Sequence, residues 1–318
     1  MSYFIHALIY FCAFYSIWFG ANLIVESITK FSRKLRISNF SASFFILGLM
    51  TSIPEFALGL TSITSNDPEI FVGNLIGGII VIFLLIIPLL AILGNGIRLK
   101  HQLSQPSMLA ILFVCITPSL LISDRKITHI EALVLIGIYA ILFFLMQSHR
   151  GFLRFGKHLI QAKAYTLKDL LMVILGVIIV FVSSQFILNQ TLYFSQLINV
   201  SPIIISVIVL SIGTNLPELS IAIKSVISGK KDIAFGNYLG SAATNTFLFG
   251  FLSLINEGDV VTTHRFSANL IFLITGIVAF YLFSRSKNTI SRKEGFILFS
   301  IYLTFILYWI LNQYINIQ

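Results

Sequence analysis

Charge is what this sequence has least of. Only 10% of its 318 residues are Asp, Glu, Lys or Arg, and 57% are hydrophobic; a soluble domain carries about 25% charged residues. Apolar runs of roughly 20 residues recur along the whole length, the length needed to cross a bilayer. A polytopic membrane protein follows, with no loop large enough for a regulatory domain. Cysteine is scarce too. Cys12 and Cys115 both lie in apolar spans, which excludes a disulfide framework and a thiolate metal site. The six histidines (His6, His101, His129, His149, His158, His264) sit near span ends or in loops, and no pair has ligand spacing within a helix. His-Glu-x-x-His, paired Asp, and Ser with His at membrane depth are all missing, so an intramembrane enzyme has nothing to work with. The N-terminus lacks a basic n-region, and its first apolar stretch is expected to be a transmembrane helix rather than a cleaved signal. The net charge of +9 is carried by loops, where basic residues orient helices, and no nucleic-acid partner is expected.

One stretch occurs twice. Residues 38–83 contain LGLMTSIPEFALGLTSI followed by VGNLIGG; residues 201–246 contain LSIGTNLPELSIAIKSV followed by FGNYLGS. A constant offset of 163 aligns the copies without a gap, placing Thr51 on Thr214, Pro54 on Pro217, Glu55 on Glu218, Asn74 on Asn237 and Gly77 on Gly240. Two motifs repeating in register inside apolar spans signal an internal duplication.

The sequence divides into ten spans, near 3–27, 39–64, 69–93, 106–123, 128–147, 168–194, 202–228, 232–254, 266–284 and 294–315. Polar breaks separate them: Lys30 to Arg36, Ser65-Asn66-Asp67-Pro68, Gly94-Asn95-Gly96, Asp124-Arg125-Lys126 and Gly229-Lys230-Lys231-Asp232. Eighteen of the twenty-one Lys and Arg residues lie in the odd-numbered loops or at the span edges beside them. Those loops are therefore expected in the cytoplasm, with both termini outside. Span 1 then enters from the face opposite to span 6. The expected fold is all-α: ten transmembrane helices arranged as two inverted five-helix repeats, 1–147 and 168–318, joined by a basic cytoplasmic connector at 148–167. Inverted repeats are an architecture of secondary transporters, with the substrate site at the repeat interface near mid-membrane.

Of twelve acidic residues, ten lie in loops or near span ends; Glu55 and Glu218 lie deep in spans 2 and 7. A charge at that depth costs about 2.5–3.5 kcal/mol on insertion scales and marks function by default. No Lys or Arg lies at comparable depth to pair with them, which leaves protonation or cation coordination. Thr51 and Ser52 precede Glu55 by four and three residues, on one helical face. Ser211, Thr214, Asn215 and Glu218 form a matching polar stripe. Pro54 and Pro217 cannot donate backbone hydrogen bonds, which weakens the pairing of the Met50 and Gly213 carbonyls. All these donors are hard oxygens, suited to Ca2+, Na+ or Mg2+, and two carboxylates balance one divalent ion. Asn74 and Asn237 on spans 3 and 8 are candidates for ion contact or for interhelical hydrogen bonds. The neighbouring glycines are expected to serve close helix packing. In the second copy the polar stripe continues through Ser241, Thr244 and Asn245, where the first has Gly78, Val81 and Ile82.

These copies resemble the alpha repeats of the calcium/cation antiporter superfamily, most closely its prokaryotic sodium/calcium exchanger type. That family carries a Gly-Thr-Ser-x-Pro-Glu core, then Gly-Asn-x-x-Gly-Ser-Asn on the next helix. The counterparts are Met50-Thr51-Ser52-Ile53-Pro54-Glu55 with Gly73-Asn74-Leu75-Ile76-Gly77-Gly78-Ile79, and Gly213-Thr214-Asn215-Leu216-Pro217-Glu218 with Gly236-Asn237-Tyr238-Leu239-Gly240-Ser241-Ala242. The resemblance implies a central Ca2+ site of Glu55, Glu218, Thr51 and Thr214, with flanking Na+ positions at Ser52, Ser241 and Asn245. Asn215 replaces one Ser but keeps an oxygen. Gly78 and Ile82 replace a Ser and an Asn or Asp, so one flanking site is depleted. The function implied is exchange of Ca2+, or a similar divalent cation, for Na+ by alternating access in the plasma membrane. An H+-coupled antiporter is the alternative, and a non-transporting sensor homologue the third reading. No cofactor is expected. The cations are substrates, the bilayer is the other partner, and the oligomeric state stays open.

Overall fold

The computed structural model describes residues 2–34, 44–45, 48–98, 105–148, 167–227, 231–263, 266–285 and 289–315. Each apolar run is helical over its described residues, and residues 39–43 and 46–47 of the second expected span lie outside them. Span 1 is Ser2–Lys34, span 4 Gln105–Leu121 with a 3-10 turn to Asp124, and span 5 His129–Ser148. Span 6 is Leu167–Leu197, span 8 Lys231–Ile255, span 9 Ser267–Arg285 and span 10 Arg292–Ile315. Span 1 runs further than expected. Nothing in its last turns breaks a helix, so Lys30, Arg33 and Lys34 belong to the helix and not to a loop. The connector expected over 148–167 lies, apart from its two ends, outside the described residues.

The other three spans are interrupted. Span 2 is Gly48–Thr51 and Ile53–Thr64, broken at Ser52. Span 7 is Pro202–Ile205, a π-helical turn Ser206–Leu210, then Ser211–Thr214 and Leu216–Ile227, broken at Asn215. The breaks are equivalent under the offset, and each precedes a proline by two residues. A proline there has no N–H to give the preceding turn, so the helix restarts with it in its first turn. The two polar stripes are therefore not faces of continuous helices, as the spacing suggested. They are side chains gathered around two helix breaks. Span 3 is Glu69–Val81, a π-helical turn Ile82–Ile86 and Ile87–Leu93. Its counterpart, span 8, is uninterrupted.

Two short strand pairs reveal how the halves are related. β1 (Ile97–Arg98) pairs with β4 (Thr289–Ile290), and β2 (Lys126–Ile127) pairs with β3 (Val260–Val261). The partners Ile97 and Ile290 map by the offset onto Val260 and Ile127, which are themselves partners. Span 4 leaves β1 and ends at β2; span 9 leaves β3 and ends at β4. The two therefore run in opposite directions between the same two clips, and the repeats are inverted. At the β2–β3 clip Lys126 bonds Asp259 at 2.8 Å, and this hydrogen bond holds the Asp259 carboxyl below its ordinary range. Equivalent capping boxes start spans 5 and 10. The Glu131 carboxylate accepts from the Thr128 N–H at 2.8 Å, and the Glu294 carboxylate from the Ser291 N–H at 2.6 Å.

Spans 2, 3, 7 and 8 form the centre. From Ile70 to Leu84 no apolar side chain of span 3 is more than 1% exposed, as a helix apolar all round requires. Span 5 packs on span 8 and span 10 on span 3, a second equivalent pair of contacts. Spans 1 and 6 lie against each other at one side, tied by His6 to Gln190 and Tyr10 to Thr191, both at 2.8 Å. Their outward faces, and those of spans 5, 9 and 10, carry exposed residues such as Phe4, Phe11, Phe144, Leu282 and Leu311, the surface a bilayer would cover.

Candidate cation site

The repeats interlock at their glycines. A Cβ on Gly240 would lie 1.9 Å from the Phe44 carbonyl oxygen, and one on Gly77 would lie 2.4 Å from that of Val207. Phe44 and Val207 are equivalent positions. Backbone contact of this kind brings span 8 onto span 2 and span 3 onto span 7, which confirms the packing role expected of these glycines.

Across these contacts the polar side chains meet in pairs. Thr51 donates to Asn237 Oδ1 at 3.4 Å, and Thr214 donates to Asn74 Oδ1 at 3.1 Å. Each bond is the image of the other, and each joins one repeat to its partner. Asn74 and Asn237 therefore make interhelical bonds through their oxygens, while both amide nitrogens are buried without a hydrogen-bond partner among the described residues. Glu55 and Glu218 are fully buried. The Thr214 hydroxyl gives its single proton to Asn74. Among the described residues, both Glu55 oxygens and Glu218 Oε2 lack hydrogen-bond partners.

Beyond these pairs the symmetry fails. Ser52 Oγ lies 3.2 Å from Ser241 Oγ, and Ser241 donates to Glu218 Oε1 at 2.8 Å. The equivalent positions are Asn215, Gly78 and Glu55. There the Asn215 amide donates to the Ser211 carbonyl at 2.8 Å. A Cβ on Gly78 would lie 2.9 Å from Asn245 Nδ2 and 3.1 Å from Asn215 Nδ2.

Ten of the eleven candidate residues thus converge through their side chains: Glu55, Glu218, Thr51, Thr214, Ser52, Asn215, Ser241, Asn245, Asn74 and Asn237. None is more than 1% exposed. Ser211 contributes its carbonyl. Its hydroxyl is turned to Val207 at 2.5 Å, within its own span. Thr244, read as part of the stripe, faces away towards Tyr139 of span 5 at 3.4 Å. Sequence reasoning missed the Gly48 carbonyl, equivalent to that of Ser211, which accepts from Ser52 Oγ at 2.9 Å; only the offset could have pointed to it. It also missed what covers span 7. Phe14 sits on Gly213 and Trp18 donates to Ser220, beside an apolar cleft of about 570 Å3 between spans 1 and 7. A smaller cleft of about 320 Å3 between spans 2 and 8 ends at Ser52.

Comparison with known proteins accords with this arrangement. The sequence model of the family described as "Sodium/calcium exchanger protein" matches residues 5–147 and 168–311. The chain belongs to the sodium/calcium exchanger family. It is a multi-pass membrane cation antiporter and not an enzyme. CaxA of Alkalimonas amylolytica is 24% identical over 298 residues, 89% of this chain and 91% of that protein. The sodium/calcium exchanger MaX1 of Methanosarcina acetivorans is 25% identical over 140 residues, 44% of this chain and 40% of its own length. Among solved structures, the sodium–calcium exchanger NCX_Mj, soaked with Na+ and Sr2+, superposes with a TM-score of 0.70. It is 19% identical, with 96% of this chain and 98% of that one covered. The ten-span inverted-repeat fold is therefore that of this exchanger family.

Proposed function

We propose that this member of the family exchanges Ca2+, or a divalent cation of similar size, for Na+ by alternating access. One observation carries the reading. Two fully buried carboxylates stand at equivalent helix breaks, and three of their four oxygens lack a hydrogen-bond partner among the described residues. Buried anions of this kind are costly unless a cation joins them. Around them stand hydroxyl, amide and carbonyl oxygens from four spans, the hard, adaptable donor set that Ca2+ takes in six- to eightfold coordination.

Glu55 and Glu218 supply the charge. Thr51 and Thr214 sit beside them and, by bonding Asn237 and Asn74, fix the two repeats against each other. Ser52 and Ser241 offer a flanking oxygen pair. Movement of one set of spans against the other would open the site to one face at a time. The repeats, 1–147 and 168–318, would be linked by a cytoplasmic connector at 148–167, with both termini outside a plasma membrane, because the basic residues cluster in the odd loops. The names of MaX1 and NCX_Mj as sodium–calcium exchangers accord with this assignment.

The test is Ca2+ uptake into proteoliposomes with Na+ and H+ gradients imposed separately. An outward Na+ gradient should drive uptake, and Glu55→Gln or Glu218→Gln should reduce it to the level of protein-free vesicles. Uptake driven by pH alone would establish the H+-coupled alternative. If neither gradient moves Ca2+ the proposal fails.

A further inference from the structure

The two apolar clefts lie on the same face of spans 2 and 7. Met50, Ser52 and Ile53 line the smaller one, and their images under the offset are Gly213, Asn215 and Leu216. Gly213 and Leu216 line the larger cleft, and Asn215 does not. One cleft therefore ends on a residue of the cation site, and the other stops short of the site. What stops it is span 1.

Phe14 and Gly213 both line the larger cleft. A Cβ on Gly213 would overlap Phe14 Cδ1, Cε1 and Cζ, so the ring edge takes the space of a side chain at that position. Thr214 and Asn215, the next two residues, are buried. The ring thus lies on the backbone that leads into the helix break. Trp18, one turn along span 1 from Phe14, donates from Nε1 to Ser220 Oγ. The first contact is before the break at Asn215 and the second is after it, so span 1 bridges the break.

Neither contact has a counterpart in the first repeat. The image of Gly213 is Met50, which carries a side chain of its own, and the image of Phe14 is Val177. Trp18 and Ser220 map onto Phe181 and Ala57, side chains that can form no hydrogen bond. An apolar ring across a path excludes water, and a cation cannot pass where it cannot stay hydrated or coordinated. The cleft of about 570 Å3 beside the ring is room into which the ring can turn.

We infer that Phe14, seated on Gly213 and tethered through Trp18 and Ser220, is a hydrophobic gate of the cation site on the span 7 side, and that the ring must leave the glycine for the site to open there. Phe14 contacts no cation; it controls access, where Glu55 and Glu218 bind. The inference rests on the alternating-access reading above.

The experiment uses the full chain with Cys12 and Cys115 replaced and Thr214→Cys as the reporter of access. It measures the rate at which a small, charged, water-soluble thiol reagent labels that cysteine in proteoliposomes. Phe14→Ala should raise the rate about tenfold or more, since a closed gate leaves the open state populated at only about 0.1–10%. Phe11→Ala alters the same cleft at a side chain that is 75% exposed, and should leave the rate unchanged. Gly213→Ala drives a methyl group into the ring and should raise the rate as Phe14→Ala does. Combined with Phe14→Ala it should add nothing, because the ring it displaces is gone. Trp18→Phe removes the tether and keeps the packing, so it tests the gate even where Phe14→Ala does not stay monodisperse; it should raise the rate about threefold, the lower end of what one hydrogen bond contributes.

Labelling that is unchanged by Phe14→Ala in monodisperse protein, or by Trp18→Phe, overturns the gate and leaves the ring as packing. So does a rise of equal size with Phe11→Ala, or independent effects of Phe14→Ala and Gly213→Ala. Labelling requires neither Ca2+ nor Na+. A gate effect in a chain that moves no Ca2+ under either gradient therefore overturns the functional reading alone, and Ca2+ exchange without a gate effect overturns the gate alone.

Discussion

At the scale of single residues, the centre of this molecule holds more buried polar atoms than it can pair. Among the described residues, both Glu55 oxygens, Glu218 Oε2 and the nitrogens of Asn74 and Asn237 have no hydrogen-bond partner. A fold tolerates such groups where function needs them, at a cost in stability. Replacing either Glu by its neutral isostere removes an uncompensated charge worth about 2.5–3.5 kcal/mol at this depth. Glu55→Gln and Glu218→Gln should therefore melt at a higher temperature than the parent in chelator. Both should lose the upward shift in Tm that Ca2+ gives the parent, since a ligand stabilises only what it binds. Thermal unfolding in detergent, with and without Ca2+, reads both effects. A parent that gains nothing from Ca2+ would count against coordination by these carboxylates.

At the scale of elements, close backbone approach and helix caps do the positioning. Gly240 and Gly77 let spans 8 and 3 reach the Phe44 and Val207 carbonyls, and those atoms are backbone and cannot swing aside. Gly240→Val should leave little folded protein, at a cost of at least several kcal/mol, because overpacking alone costs about 1–3. Gly137 in span 5 meets nothing within 4 Å, so Gly137→Ala should be harmless; yield of monodisperse protein by size exclusion compares the two. The capping boxes at Thr128–Glu131 and Ser291–Glu294 are legible in sequence as Thr-x-x-Glu and Ser-x-x-Glu, and they extend the duplication beyond the motif stretches to spans 5 and 10. Thr128→Ala and Ser291→Ala should each cost about 1 kcal/mol. The losses should add, because the two boxes lie at equivalent sites in separate repeats with no shared partner; urea or thermal melts of the single and double variants test this.

At the scale of the whole molecule, the two strand clips fix the inversion. β1 with β4 closes one face and β2 with β3 the other, and spans 4 and 9 run between them in opposite directions. Under the proposed orientation, with the basic odd loops in the cytoplasm, the β2–β3 face lies outside. In a background with Cys12 and Cys115 replaced, a membrane-impermeant maleimide should label Glu257→Cys on intact cells. It should label Lys293→Cys only after permeabilisation. Both positions are exposed, so the reverse pattern would invert the orientation.

Much of this was readable before any fold was known. The apolar runs and near-absence of charge determined ten membrane helices, since a bilayer leaves a backbone few other choices. The offset of 163 and the distribution of Lys and Arg determined the inverted halves, and two acids at matching depth marked the site. The rest required three dimensions. Spacing alone placed Thr51 and Ser52 on one face with Glu55, because a sequence does not show that the helix breaks at Ser52; the break depends on which backbone groups the neighbouring spans leave room for. Nor could it separate Asn245, which turns inward, from Thr244, one residue away and facing span 5. The asymmetry of the site belongs to this second class. Gly78 and Asn215 are 137 residues apart, and each alone looks like a lost or altered ligand. Only packing of span 3 against span 7 shows that the amide fills the space the glycine leaves, because contact between repeats is a property of the folded chain.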